Sequence, residues 1–243
     1  MRGGSVGGYY RSVAISSGSF LPNVSSSPPL LLLPADRKRL RFRCSVSVAK
    51  VVLVGEDGDG VRSLIKSPRR LILLRHAESS AVDRSLRDHD RPISKGGRND
   101  AADVTHKLQK MGWTPELILS SDAARTQETL EIMQASELEF SKAVVHFMPS
   151  FYSVAAMDGQ TAAHLQQVIC EYSTDKILTL MCMGHNKGWE EAASMFCGTS
   201  IELDTCNAAL LESKGCSWNE AFASTGLGGW KLHCIVKPDT MSH

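Results

Sequence analysis

Basic side chains stand at four points of the sequence, each at the end of an apolar run or in the loop that follows it. The stretch LILLRHAESS runs from four apolar residues into Arg75 and His76, and Arg91 follows in DHDRPIS. SSDAART then carries Arg125, and CMGHN carries His185. Because charged groups are seldom buried unless they are paired, a buried strand that ends in such residues indicates a ligand crevice.

Phosphate is the ligand that best fits these side chains. Three arginines and two histidines gathered at one place would repel each other unless an anion lay among them, and a guanidinium group matches phosphate oxygens in bidentate fashion. The sequence therefore predicts a phosphate-binding pocket where these residues meet.

The order of the predicted elements explains how these residues would meet. Apolar runs of strand length alternate with amphipathic helical patterns, which is typical of an α/β domain with a mostly parallel sheet between two layers of helices, a three-layer α/β/α arrangement. The carboxyl ends of parallel strands lie at one edge, where the basic residues would collect. One helix is predicted between an N-cap at Ser94 and Gly112. The predicted strands are RLILLRH, PELILSS, AVVHFM, KILTLMCMGH, CNAALLES and WKLHCIV, and the other helices are AARTQETLEIMQA, DGQTAAHLQQVICEY and KGWEEAASMFCG.

The amino-terminal part has a composition of its own. Residues 1–44 are rich in serine, hold seven Lys or Arg and have a single acid. This composition is typical of a transit peptide, and RFRC followed by SVSVA looks like a plastid processing site. We therefore predict a plastid transit peptide and a location in the chloroplast stroma, with a mitochondrial address or a plain disordered tail as alternatives. Residues 45–68 are expected to be a flexible lead-in, residues 69–238 one ordered domain, and residues 239–243 a tail.

Composition excludes several classes of protein. The formal net charge is +1, which argues against a nucleic-acid partner. No segment approaches the roughly 20 apolar residues of a membrane span. The seven cysteines are scattered and form no C-x-x-C pair, so neither a zinc site nor a thioredoxin-like site is predicted. We expect a monomer with a phosphorylated substrate, no membrane association and no metal or other cofactor.

The motifs LLRHA, DRPIS, SSDAARTQET and MGHN, in this order, resemble those of the histidine phosphatase superfamily, the group that includes the phosphoglycerate mutases. The short spacing and DHDRPIS resemble its SixA-like branch, the phosphohistidine phosphatases. The resemblance spans roughly Leu71 to Val236 and implies the histidine phosphatase fold and a metal-independent phosphatase. Two departures are Ala77, where glycine is commonest, and Lys187, where the family commonly has proline.

The resemblance also implies a role for each basic residue. His76 would be the nucleophile and take the phosphoryl group on a ring nitrogen, after which water would attack the phosphohistidine. Arg75, Arg91 and Arg125 would hold phosphate oxygens. His185 would complete the pocket, and it is most useful as a protonated donor to the phosphoryl group.

The proton donor is not evident from the sequence. Many members of the superfamily have Glu or Asp after the third strand, whereas this chain reads MPSFYSVAAM, and Asp158 is the nearest acid. Glu78, Asp83 and Glu128 are candidates at the rim, although each is more simply a solvated carboxylate. An alkoxide leaving group needs a donor far more than a phosphohistidine does. We therefore favour phosphohistidine on a protein as substrate, with a small-molecule phosphomonoesterase and a non-catalytic phosphate or phosphoprotein-binding module as alternatives.

Overall fold

Six strands form one sheet in the computed structural model, which describes residues 67–81, 85–157 and 159–239. The strands are β1 (Arg69–Arg75), β2 (Leu117–Ser120), β3 (Val144–Phe147), β4 (Thr179–Gly184), β5 (Ala208–Ser213) and β6 (Lys231–Val236). Their order across the sheet is β3-β2-β4-β1-β5-β6. The pairs β2–β3, β2–β4 and β1–β4 are parallel, and β5 runs antiparallel to both of its neighbours. The predicted α/β class and mostly parallel sheet are confirmed.

The helices include the four that the sequence predicts and several shorter ones. They are α1 (Lys95–Lys110), α2 (Ala124–Ser136), α3 (Leu138–Ser141), α4 (Pro149–Val154), α5 (Thr161–Tyr172), α6 (Asn186–Cys197) and α7 (Trp218–Thr225), with a 3-10 helix at Asp88–Asp90. Helices α3, α4 and α7 escaped prediction because such short helices do not display a clear apolar periodicity. The caps predicted for α1 are confirmed: Ser94 Oγ accepts a hydrogen bond from the backbone N–H of Gly97 over 2.9 Å, and Gly112 follows the helix at φ 70°.

The two faces of the sheet bury separate apolar clusters. Leu71 and Leu73 of β1 pack in the cluster that contains residues of α5 and α6. Ile72 and Leu74, which point the other way, belong to the cluster that contains residues of α1 and α2. Successive side chains of a strand alternate between faces, so the unbroken apolar run of β1 is explained by helices on both sides. The predicted three-layer arrangement is confirmed.

The register of the central strands brings the predicted site residues together. Arg75 at the end of β1 pairs with Gly184 at the end of β4, so the next residues of both strands, His76 and His185, are neighbours. The N–H of His76 donates to the carbonyl oxygen of Gly184 over 3.0 Å. The N–H of Ser121, which follows β2, donates to the carbonyl oxygen of Met183 over 2.9 Å. Three chain segments therefore leave the sheet side by side.

The predicted transit peptide, residues 1–44, lies outside the described residues, and so do residues 45–66 of the lead-in. β1 begins at Arg69, where the ordered domain was expected to start. Among the described residues, no helix has the length and apolar character required to cross a membrane.

Candidate active site

A cavity of about 420 Å³ opens at the carboxyl ends of the parallel strands. Three of the five basic residues predicted for the site, His76, Arg125 and His185, line it. The other lining residues come from the 3-10 helix, from α4 and the turn after it, and from the start of α6; they are Asp88, Tyr152, Ser153, Ala155, Ala156, Asn186 and Lys187. Lys187, which replaces the proline common in the family motif, is thus a lining residue.

His76 is held in one tautomer by its own loop. Its Nδ1 lies 2.7 Å from the carbonyl oxygen of Ala77, so Nδ1 carries the proton and Nε2 keeps a free electron pair. Nε2 accepts a hydrogen bond from Nε of Arg125 over 3.2 Å. Burial, together with the nearby charges of Arg125 and Arg75, lowers the pKa of His76 to about 4. The imidazole is therefore neutral near pH 7, as a nucleophile requires.

Arg125, in the first turn of α2, is the centre of the hydrogen-bond network. Its side chain is 8% exposed, and four of its five N–H groups have protein acceptors. Besides His76, it donates to the backbone oxygen of Asp88 over 2.5 Å, to Asp88 Oδ2 over 2.9 Å and to Nδ1 of His185 over 3.1 Å. One guanidinium group thus contacts both histidines.

His185 follows β4 and is the residue immediately before α6. Because Arg125 can only donate, Nδ1 of His185 is the acceptor of their hydrogen bond, and Nε2 donates to Ser121 Oγ over 2.8 Å. Burial and the charge of Arg125 lower the pKa of His185 to about 3. His185 is therefore neutral in this arrangement, because a second cation beside Arg125 in a buried site is unfavourable. Its expected role as a protonated donor to a bound phosphoryl group stays a prediction.

Arg75 and Arg91 do not line the cavity. Arg75 donates from Nη1 to the carbonyl oxygen of Leu203 over 2.7 Å, and Arg91 Nη1 lies 3.5 Å from Asp88 Oδ1. The Nε groups of both arginines are buried without a hydrogen-bond partner. Buried donors are normally paired, so each of these N–H groups lacks a partner of the kind that an anion would supply. Their role as phosphate ligands stays a prediction.

Asp88 and Tyr152 are the site residues that the sequence analysis missed. Asp88 Oδ2 accepts from Arg125 and, over 3.0 Å, from the hydroxyl group of Tyr152. The ring of Tyr152 stands edge-on to that of His185 with 5.2 Å between centroids. Asp88 lies in the motif DHDRPIS, and Tyr152 lies in MPSFYSVAAM, the segment that lacks the acid expected after the third strand. Nothing in their spacing showed that the two side chains would meet.

The charge state of Asp88 follows from these contacts. Burial raises the pKa of its carboxyl group, but Arg125 and the hydrogen bond from Tyr152 outweigh burial, and the net shift is downward. Asp88 is consequently an ionised carboxylate near neutral pH. Burial and the hydrogen bond to Asp88 raise the pKa of Tyr152 above that of a free phenol. Asp88 therefore has no proton to donate near pH 7, whereas Tyr152 keeps its phenolic proton.

The carboxylates considered for the rim lie elsewhere. Glu78 accepts a hydrogen bond from Ser94 Oγ over 2.6 Å, and Glu128 pairs with Arg98 over 2.7 Å. Neither lines the cavity. Asp83 and Asp158 are outside the described residues. Across residues 67–81, 85–157 and 159–239, no three His, Cys, Asp or Glu side chains are grouped so that they could hold a metal ion.

Comparison with known proteins assigns the family. An uncharacterized, chloroplastic protein of Arabidopsis thaliana is 67% identical over 172 residues, which are 71% of this chain and 79% of that protein. The family profile described as histidine phosphatase superfamily (branch 1) matches residues 71–145, from β1 into β3. The chain belongs to the histidine phosphatase superfamily. This assignment supports phosphatase activity.

Solved structures confirm the fold of this histidine phosphatase. A protein of Agrobacterium tumefaciens assigned as the phosphohistidine phosphatase SixA is 22% identical, with a TM-score of 0.55, and the match covers 70% of this chain and 99% of that one. A protein of Nakamurella multipartita, likewise assigned as SixA, is 20% identical, with a TM-score of 0.57, and the match covers 75% of this chain and 99% of that one. The predicted histidine phosphatase fold is thereby confirmed.

Proposed function

We propose that the protein is a phosphatase that forms a phosphohistidine on His76, requires no metal ion and acts on phosphohistidine in a protein substrate. The observation that carries this proposal is the state of His76. It is neutral, its Nδ1 proton is bound to Ala77, and its free Nε2 electron pair faces the guanidinium group of Arg125. A nucleophilic nitrogen beside a cation that can hold the transferred group is the minimum required for phosphoryl transfer.

The first half-reaction exchanges the partners of Arg125. The substrate phosphoryl oxygens take over its N–H groups, and Nε2 of His76, released from the hydrogen bond with Arg125, attacks phosphorus. The bond from phosphorus to the leaving group breaks, and its electron pair stays with that group. In the second half-reaction, water attacks the phosphohistidine, the P–N bond breaks and Nε2 of His76 regains its electron pair. Arg125 stabilises the phosphoryl oxygens in both steps.

The substrate class follows from the acids of the pocket. The segment after β3 contributes Tyr152, a phenol with a raised pKa, and Asp88 is ionised. The described lining residues include no protonated carboxylic acid to protonate an alkoxide leaving group, and Lys187 and Tyr152 are the lining side chains that carry a proton. An imidazole leaves as a neutral molecule when its other nitrogen is protonated, so it needs no donor. The SixA assignment of the two solved relatives agrees with this substrate class.

One experiment tests the activity and the nucleophile together. The full chain would be incubated in EDTA with a phosphohistidine-bearing protein and, separately, with p-nitrophenyl phosphate. Wild type should release phosphate from the first substrate preferentially, and His76→Ala should release none. His106→Ala is the control, because His106 is an exposed histidine that pairs with Glu137. Preferred hydrolysis of the ester would contradict the substrate proposal and support a phosphomonoesterase. Phosphate binding without turnover of either substrate would indicate a binding module.

We also propose that residues 1–44 direct the protein to the chloroplast stroma. The relative that is named chloroplastic supports a plastid location. The serine-rich, basic composition of these residues supports a transit peptide. Residues 1–68 fused to a fluorescent protein should enter the stroma and be shortened, whereas residues 45–68 alone should leave the reporter in the cytosol. Mitochondrial import of the longer fusion would contradict this proposal.

A further inference from the structure

We propose that Asp88 is a specificity-determining residue that favours phosphoryl donors with a positively charged leaving group over phosphate esters. The inference rests on the proposed function, and it concerns which donors the His76 site accepts. Asp88 projects from the 3-10 helix into the cavity, next to the arginine expected to hold the phosphoryl group. A carboxylate at this point is unexpected in a site built to bind an anion, so its presence needs an explanation.

The two oxygens of Asp88 have different surroundings. Oδ2 accepts hydrogen bonds from Arg125 over 2.9 Å and from Tyr152 over 3.0 Å, so it is fixed in place. Oδ1 lies 3.5 Å from Arg91, a longer contact. The side chain is 55% exposed. Each carboxylate oxygen has two acceptor positions, so Oδ1 can take an N–H from a group that enters the cavity.

The charge of Asp88 makes it selective. A dianionic phosphate ester must compete with the carboxylate for the N–H groups of Arg125, and its own charge is repelled by Oδ1. An N-phosphoryl donor brings a cation next to its phosphoryl group, either an imidazolium or an ammonium. The N–H of that cation can donate to Oδ1 in a charge-assisted hydrogen bond. Asp88 thus disfavours binding of the phosphate ester and favours binding of the N-phosphoryl donor.

Transfer of the phosphoryl group from such a donor to His76 requires no proton donor. In an N-phosphoimidazolium, one ring nitrogen carries the phosphoryl group and the other carries a proton. The N–H of that second nitrogen donates a hydrogen bond to Asp88 Oδ1. His76 Nε2 forms a bond to phosphorus while the old P–N bond breaks, and the electron pair of that bond stays on the leaving nitrogen. The product is a neutral imidazole that keeps its N–H. Asp88 takes no proton and remains ionised.

Two nearly isosteric variants of the full chain separate this role from a general loss of charge. Asp88→Asn removes the negative charge and keeps an acceptor for Arg125 and Tyr152. Asp90→Asn is the matched control, because Asp90 lies in the same 3-10 helix but pairs with Arg87 and His89 rather than lining the cavity. Three donors would be compared at pH 7: phosphoramidate, a phosphohistidine-bearing protein and p-nitrophenyl phosphate.

The readout is the ratio of kcat/KM for each N-phosphoryl donor to kcat/KM for p-nitrophenyl phosphate. We expect Asp88→Asn to lower this ratio by about tenfold or more, because a charge-assisted hydrogen bond is lost and a repulsion is relieved. Asp90→Asn should keep the wild-type ratio, and Asp88→Glu, which retains the charge, should recover part of it. An unchanged ratio in Asp88→Asn, including an equal loss on all donors, would overturn the inference.

The failure of the proposed function has a different signature. It would appear in the wild-type protein itself, as hydrolysis of p-nitrophenyl phosphate with no turnover of either N-phosphoryl donor. That result overturns the substrate class and the role of Asp88 together. Wild-type preference for N-phosphoryl donors with an unchanged ratio in Asp88→Asn overturns only the role of Asp88. Binding of inorganic phosphate to Asp88→Asn, expected to be tighter than in wild type, shows that the variant pocket is folded.

Discussion

Arg125 donates its Nε–H to Nε2 of His76 over 3.2 Å, so the atom expected to attack phosphorus is held by the group expected to bind the phosphoryl oxygens. We therefore expect substrate binding to release the nucleophile. As phosphoryl oxygens draw the N–H groups of Arg125 away, the electron pair of His76 would become available. The arrangement keeps the imidazole neutral and oriented in the meantime.

Replacement of Arg125 by lysine should be severe although the charge is retained. Lysine is a point charge and cannot contact His76, His185 and a phosphoryl group in one plane. We expect kcat/KM to fall by about 100-fold or more, within the range seen when a preorganised donor is lost from a transition state. Steady-state kinetics on a phosphohistidine-bearing protein measure this. Arg98→Lys, which changes a surface ion pair with Glu128, should stay close to wild type. A loss below about threefold in Arg125→Lys would show that the fork geometry is unimportant.

The neutral histidines should make the protein less stable in mild acid. His76 has a pKa of about 4 in the folded chain, compared with about 6.5 when unfolded. Below pH 6.5 the unfolded chain therefore binds a proton that the folded chain does not bind until about pH 4. The contribution to stability is complete above pH 6.5 and declines as the pH falls through this window.

Urea unfolding of wild type and His76→Asn at pH 7.5 and pH 5.0 measures this effect. The other titrating groups contribute to the pH dependence of both proteins. Replacement of His76 by asparagine should reduce the loss of unfolding free energy between the two conditions by about 2 kcal/mol. The shift in His185, whose pKa is about 3, acts in the same direction in both proteins. Identical losses in wild type and His76→Asn would show that His76 is not held neutral by the fold.

Ser121 should act through His185. Its hydroxyl oxygen accepts a hydrogen bond from Nε2–H of His185 over 2.8 Å and so fixes the tautomer that presents Nδ1 to Arg125. We expect Ser121→Ala to lower kcat by about tenfold with a smaller change in KM, because the ring is less well oriented when the reaction occurs. Ser120→Ala is the matched control: Ser120 is also buried, but it donates to a backbone oxygen. Equal effects of the two substitutions would indicate a purely structural role for Ser121.

Gly184 is required by close packing behind the site. A Cβ atom at this position would lie 2.3 Å from the ring of Trp189, and that ring is anchored by its N–H to the carbonyl oxygen of Cys182 over 3.0 Å. Gly184→Ala should therefore destabilise the protein by about 2 kcal/mol, measured by urea unfolding. In Gly96→Ala the new Cβ would lie 3.7 Å from Ser94 Oγ, and this change in α1 should be neutral or stabilising. Wild-type stability of Gly184→Ala would show that the Trp189 ring moves freely.

The sequence predicted the sheet, the main helices and the convergence of the basic residues, because these depend on local signals. Unbroken apolar runs mark strands covered on both faces, and Ser94 and Gly112 mark the ends of α1. Once the strands are parallel, topology alone brings the residues after β1, β2 and β4 together. His76 and His185 required no information beyond the ends of two strands.

Other features of the site depended on contacts between segments that are distant in the chain. The bond between Asp88 and Tyr152 joins residues 64 positions apart, and no periodicity encodes such a pair. The charge of His185 also depended on tertiary structure, because its pKa responds to burial and to Arg125, neither of which its neighbours in sequence reveal. The sequence thus predicted the arginines and histidines that suit this site to a phosphoryl group. The protonation states and the position of Asp88 beside the proposed nucleophile were decided by packing, because electrostatic interactions depend on distances that only the folded chain sets.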